Sequence, residues 1–265
     1  MSLLCCPVCG RELTKAERAY TCPARHTFDI AREGYVNLMA GKPPAVGDNR
    51  EMIAARHRTL ESGIYARFCE TLREVAAEAP QGTFLDVGCG EGYYTERMAL
   101  SRTGDVIGID ISKDALKLSC RRLPRATLAV ASAYHLPLAD CSVALLSAIF
   151  APMATEEFHR VLNVGGHLVL AVPGPRHLFG MKEILYDTPY ENEVQDTALA
   201  GFTLLEKRAV TFDFTLPSQQ AIADLFAMTP YCYRTPRAGR ERLAALETLS
   251  ISAEFYVLTY EKAKL

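Results

Sequence analysis

The sequence predicts an α/β fold, a doubly wound and mostly parallel sheet with a small metal-binding domain at its N-terminus. Three observations point there. Beyond residue 83, short apolar runs alternate with helical stretches; the first of those runs ends in a glycine-rich turn that opens a helix; and the first 26 residues hold cysteines and a histidine in the spacing C-x2-C-x12-C-x3-H. Alternation of this kind winds helices over both faces of a parallel sheet. At 265 residues, 49% apolar and 23% charged, the chain has the make-up of a globular protein of one large domain or two unequal ones, which excludes disordered, collagenous and coiled-coil classes.

No apolar run reaches the roughly 18 to 20 residues of a bilayer span. The longest candidate, 141–154, contains Pro152. Residues 1–10 lack the basic start, apolar stretch and cleavage site of an export signal, so a cytoplasmic protein with no membrane partner is expected. Lys and Arg total 29 against 31 Asp and Glu, a net charge of −2, so any contact with nucleic acid must come from local patches. Nine cysteines, four of them in the first 22 residues, do not make a disulfide framework.

The N-terminal pattern assigns Cys6, Cys9, Cys22 and His26 as metal ligands. A C-x2-C knuckle aims two thiolates at one ion, Gly10 supplies the permissive backbone after it, and thiolate with imidazole suits zinc. Four protein ligands leave no open position for a metal-bound water, so the zinc is structural. Cys5 stands outside the set, because only Cys6 leaves the two-residue gap to Cys9. The ion would fold a segment too short to bury an adequate core alone. The expected division is a zinc-binding domain over 1–36, a linker with helices over 37–80, and the main domain over 81–265.

In chain order, the Pro/Gly loop 41–48 is a linker in which Asp48 can cap the helix expected over 49–62, which ends at Gly63. A second helix covers 65–79 and stops at Pro80. Strands are expected at 83–87, 105–109, 127–131, 143–149 and 167–172, with helices near 93–101, 112–122, 153–162 and 175–187. Extended runs at 202–216 and 250–260, separated by a helix near 218–228, fit a terminal antiparallel pair on the same sheet.

Phe84 to Gly92 reads as a strand running into a turn, with Asp86, Gly88, Gly90 and Gly92 in the pattern D-x-G-x-G-x-G. The glycines let the backbone approach a ligand closely, and ligands bind at such carboxyl ends of parallel strands. Asp110, ending the next strand, sits where a carboxylate would receive a ribose diol. A dinucleotide fingerprint needs glycine at position 93, which is Tyr93. The pattern instead resembles motif I of the class I S-adenosylmethionine-dependent methyltransferases. That resemblance implies a Rossmann-like, seven-stranded sheet, with the glycine turn under the methionine part of the donor and Asp110 on its ribose. After the third strand no acidic residue appears before Asp140, so adenine recognition falls to backbone groups.

A narrower resemblance rests on Cys6-Pro7-Val8-Cys9, Cys22-Pro23 with His26, Phe28 and Asp29, the run Glu33 to Leu38, the run Asp86 to Tyr94, Phe150-Ala151-Pro152, Pro173 to Leu178 and Met228-Thr229-Pro230. Together these resemble the large-subunit (23S) ribosomal RNA guanine-N1 methyltransferase family. The resemblance implies a zinc domain that helps grip an RNA hairpin, a homodimer, and donor contacts at Tyr65, Gly90, Glu91 and His177. Guanine N1 carries a proton that must leave. The fourth strand end, 147–152, holds no carboxylate or imidazole, which argues against amino-nitrogen chemistry; His177, or a carboxylate the sequence does not place, is the candidate for proton handling. Phe150 can stack on an extruded base. RNA phosphates would meet Arg50, Arg56 and Arg58, the cluster placed between the zinc domain and the core, or Arg121, Arg122 and Arg125, or Arg234, Arg237, Arg240 and Arg242. Two alternatives stand beside this reading: a class I methyltransferase of small molecules, which leaves the zinc knuckle unexplained, and an RNA-binding protein with a non-catalytic cofactor site.

Overall fold

The computed structural model describes residues 3–39, 41, 49–193 and 197–263. Strands β1 (Thr14–Lys15), β2 (Ala19–Thr21) and β3 (Thr27–Asp29) make a three-stranded antiparallel ribbon in the N-terminal module. The main sheet uses β4 (Val36–Asn37), β5 (Phe84–Val87), β6 (Val106–Asp110), β7 (Thr127–Val130), β8 (Val143–Ile149), β9 (Leu162–Pro173), β10 (Phe202–Leu216) and β11 (Leu249–Lys262) in the order β10-β11-β9-β8-β5-β6-β7-β4. The seven expected strands are present, the last two as the expected antiparallel pair. An eighth is added: β4, only two residues long, leaves the zinc module to pair in parallel with β7.

Side chains alternate across this sheet, and the alternation sorts the core. Phe84, Leu145, Val169 and Val257 face one side; Leu85, Leu146, Leu168, Leu170 and Leu258 face the other. On the first side pack α2 (Ala66–Glu78), α3 (Tyr93–Ala99), α6 (Phe179–Leu185), α7 (Gln219–Ala227) and α9 (Arg237–Ala244). The second side takes α5 (Thr155–Val161) and also Leu4, Leu13 and Tyr20 of the zinc module, which share a core with Leu136 and Leu138. Zinc module and sheet therefore pack as one body, joined further by the Cys5 N–H bond to the Pro137 carbonyl.

Helix α1 (Arg50–Glu61) begins on Asn49, whose side chain accepts from Met52 N–H; the cap expected at Asp48 lies outside the described residues. Helix α1 buries Ile53, Ala55, Thr59 and Leu60 and is also tied to its neighbours by ion pairs. Arg50 pairs with Asp114 and Glu61 with Arg122, both on α4 (Lys113–Arg122). Arg58 grips the buried Asp224 of α7 with two bonds of 2.7 Å. The helix expected from 175 starts only at Phe179, because Leu178 adopts a left-handed φ of 52° and residues 174–178 form a turn tied to β11. The short α8 (Tyr231–Arg234) and α9 lack the apolar periodicity that would have announced them.

Candidate active site and metal centre

Strand order reverses at β5, whose neighbours are β6 and β8, so the crevice at their carboxyl ends is the natural ligand site. The glycine turn follows β5 there. Gly88, Gly90 and Gly92 take φ of 73°, 55° and 79°, a region hard for residues with a β-carbon. A β-carbon on Gly90 would meet nothing within 4 Å, whereas one on Gly92 would strike Leu123. The turn is thus open at Gly90 and sealed against α4 at Gly92.

Asp110 closes the turn from β6. Its carboxylate accepts from Gly90 N–H at 2.8 Å and Ser112 N–H at 2.7 Å, and Ser119 donates to the Gly90 carbonyl at 2.7 Å. A carboxylate has about four acceptor positions, so Asp110 retains capacity for hydroxyls of a ligand. Asp86 points beneath α3, where it accepts from Ser147 at 2.6 Å and from Thr95. Burial pushes its pKa up to about 6 against the pull of those two hydroxyls. Asp86 therefore braces β5 to β8 and α3 and supports the turn from below. Ser147 is the one polar residue in Val143–Ile149.

Glu91 lies inward, 4% exposed. One carboxylate oxygen is 3.1 Å from His57 Nδ1 and 3.4 Å from Arg122; the other is buried without a hydrogen-bond partner among the described residues. His57, Glu61 and Glu91 lie close enough to share an ion, but the guanidinium of Arg122 already sits against both carboxylates. The unpartnered Glu91 oxygen and the open face at Gly90 fit a donor ligand with polar hydrogens lying along the turn.

Behind the turn stands an aromatic wall around Phe255. His177 lies 4.4 Å from it between ring centres, Phe68 4.5 Å, Phe150 5.3 Å and Tyr65 5.8 Å. Tyr65 is buried at the start of α2, and burial raises its phenol pKa. His177 Nδ1 accepts from Glu254 N–H at 3.3 Å, and burial holds its pKa down at about 4. The ring is neutral near pH 7 and carries its proton on Nε2, as a donor. That arrangement argues against the proton-acceptor role expected from sequence. Phe150 follows β8 with a left-handed φ of 56°, stands 47% exposed, and stacks on Phe68 at 5.6 Å. No sequence signal exposes Phe255 or His57, since both reach the site through tertiary packing.

At the other end, Cys6, Cys9, Cys22 and His26 converge. Cys9 and Cys22 sulfurs are 3.7 Å apart, and His26 Nδ1 is 3.4 Å from the sulfurs of Cys6 and Cys22. Bond lengths of about 2.3 Å to sulfur and 2.0 Å to nitrogen at tetrahedral angles require separations of about 3.5 to 3.8 Å, so the four residues fit a structural zinc ion. Cys5 is outside this cluster, and its backbone pairs with that of Glu12 in an isolated antiparallel bridge.

Of the arginine clusters, Arg50, Arg58 and Arg122 are engaged in the ion pairs described above, Arg237 pairs with Glu241, and Arg242 with Asp187. Among the described residues, no helix is long and apolar enough to cross a membrane.

Comparison with known proteins follows the same division. Residues 4–42 match a zinc-ribbon family described as RlmA, N-terminal, and residues 85–170 one described as a methyltransferase domain. A Micromonospora griseorubida protein, provisionally named a 23S rRNA (guanine-N(1)-)-methyltransferase, is 35% identical over 284 residues, covering 96% of each chain. The 23S rRNA (guanine(748)-N(1))-methyltransferase of Streptomyces fradiae is 36% identical over 187 residues, 68% of this chain and 66% of its own. A solved structure from Anaeromyxobacter dehalogenans, provisionally described as a type II methyltransferase, superposes with a TM-score of 0.53 at 20% identity, covering 74% of this chain and 97% of that one. That likeness speaks to the fold alone.

Proposed function

This chain belongs to the 23S rRNA guanine-N1 methyltransferase family, and from that premise we propose that it transfers a methyl group from S-adenosylmethionine to N1 of a guanine in a hairpin loop of 23S ribosomal RNA. The observation that carries the proposal is the pairing of two sites in one packed body: a convergent Cys6, Cys9, Cys22, His26 cluster shares a core with the strands that present the glycine turn. The reading as a methyltransferase of small molecules leaves the first unexplained.

S-adenosylmethionine brings a methyl group already activated on sulfur. What remains for the chain is to hold donor and base in line and to exclude water. Gly88, Gly90 and Gly92 cradle the donor, Asp110 takes its ribose hydroxyls, and Glu91 offers its unpartnered oxygen to a polar hydrogen. Asp86 fixes the turn, and Tyr65 backs the pocket through Phe255. His177 presents Nε2–H to the donor; the structure supports a binding role for it rather than a basic one. Phe150, exposed at the crevice on a strained backbone, is a stacking platform for the target base. The reading extends to RNA binding by the zinc module, a cytoplasmic location and a homodimer, each supported by the family resemblance; sedimentation of the purified protein tests the last.

The direct test incubates protein-free 23S rRNA with labelled donor and separates the nucleosides of a complete hydrolysate. Label in 1-methylguanosine is expected. Label in no nucleoside, with donor binding demonstrated by calorimetry, would contradict the proposal.

A further inference from the structure

Lys182 is the most deeply buried cation among the described residues, with 0% exposure. Among the described residues its ammonium has no carboxylate within bonding distance, and Glu191 acts on it only from farther off. It donates to the Tyr190 carbonyl at 2.9 Å and to Asn192 Oδ1 at 2.7 Å, and lies over the rings of Tyr190 and Tyr231 at 4.4 Å and 5.5 Å. Burying a charge is costly unless its hydrogen bonds are made, and an apolar side chain of similar length would fill the same space on α6 without that cost. The cost makes sense if the bonds themselves matter.

Those bonds lead to the active site. Asn192, held by Lys182, donates from Nδ2 to the Gly174 carbonyl at 2.7 Å and from its backbone N–H to the Pro175 carbonyl at 2.9 Å. His177 N–H bonds to the same Gly174 carbonyl at 3.2 Å. From the opposite side β11 holds the loop: Gly174 N–H reaches the Glu254 carbonyl at 2.8 Å, Arg176 N–H reaches the Glu254 carboxylate at 2.7 Å, and Glu254 N–H reaches the His177 ring. A β-carbon on Gly174 would come within 2.5 Å of Glu254. The loop 174–178 is therefore clamped between β11 and the segment 190–192, and Lys182 anchors the second jaw.

We propose that Lys182 is a positioning residue for methyl transfer, acting through Asn192 to fix the loop that carries His177 against the donor. The proposal rests on the donor-binding role given to His177 above. It adds the element that sets where that ring stands.

The test uses the full chain with Lys182→Met, Asn192→Ala, the double variant and His177→Ala as reference. Titration calorimetry gives the Kd for S-adenosylmethionine, and amide hydrogen exchange reports on residues 174–178 before donor is added. Each single variant is expected to weaken donor binding about tenfold, comparable with the loss of one hydrogen bond to a charged or buried partner, and to accelerate exchange across 174–178. Because both act through one relay, the double variant is expected to be no weaker than the worse single. Additive losses, or a lowered melting temperature with donor Kd and loop exchange unchanged, would overturn the proposal. Asn192→Ala, at a partly exposed position, carries the test if Lys182→Met fails to fold. Unchanged donor Kd in His177→Ala would instead sink the role given to His177, and the loop-exchange readout would still judge the relay.

Discussion

Gly88 lies so close to Ala151 that a β-carbon on the glycine would sit 2.6 Å from the alanine β-carbon. The contact locks the donor turn after β5 to the residue following Phe150 at the end of β8. Gly88 also has a φ of 73°. Gly88→Ala is expected to cost about 2 to 4 kcal/mol in denaturant unfolding, from clash and left-handed strain together. Adding Ala151→Gly should recover part of that loss, since it relieves the clash and leaves the strain. No recovery would mean the contact does not determine the fit.

Asp86 is expected to make the stability of the fold depend on pH. Its pKa is about 6 in the fold against 3.8 for an ordinary aspartate, raised by burial. Between those values the folded state binds more protons than the unfolded chain, so Asp86 contributes less stability as pH rises from about 4 to 6, and nothing further changes above 6. The difference in unfolding free energy between wild type and Asp86→Asn should fall by on the order of 2 to 3 kcal/mol across that window. A difference independent of pH would show that the carboxyl ionises as it does in the unfolded chain.

Much of this was legible in the sequence. Strands Val143–Ile149 and Phe202–Leu216 fall where their apolar and alternating patterns place them, and the ligands Cys6, Cys9, Cys22 and His26 follow from spacing alone. What was hidden depends on contacts between distant segments. Two-residue β4 has no pattern of its own and forms because Ala129 and Val130 offer a partner. The role of His177 hinged on which ring nitrogen is occupied, and that is decided by Glu254, 77 positions away. Asp86 matches a ligand-binding motif, yet its oxygens are turned to Ser147 and Thr95, which only the packing of α3 on the sheet reveals.

Phe150 is predicted to act on the RNA side of the reaction. Phe150→Ala should raise the KM for RNA about tenfold, the scale of one lost base-stacking contact, while leaving the donor Kd within about twofold. Phe150→Trp should retain most of the activity. Equal kinetics for Phe150→Ala and wild type would reduce the residue to a packing partner of Phe68.

Zinc removal is expected to separate donor binding from RNA recognition. Because Leu4, Leu13 and Tyr20 share a core with the main sheet, a strong chelator should lower the melting temperature of the whole chain by more than about 5 °C. Well below that temperature, donor binding should persist and transfer to RNA should be lost. Methylation of RNA at the full rate without zinc would remove the module from substrate recognition.

The donor held at the turn Gly88 to Gly92 is expected to be delivered to one guanine N1 in ribosomal RNA. Labelled methyl transfer to protein-free 23S rRNA, with the product located by nuclease digestion and mass spectrometry, tests it most directly. A single 1-methylguanosine in the loop of one hairpin is expected. Label on an exocyclic amino nitrogen, or spread over many sites, would contradict it.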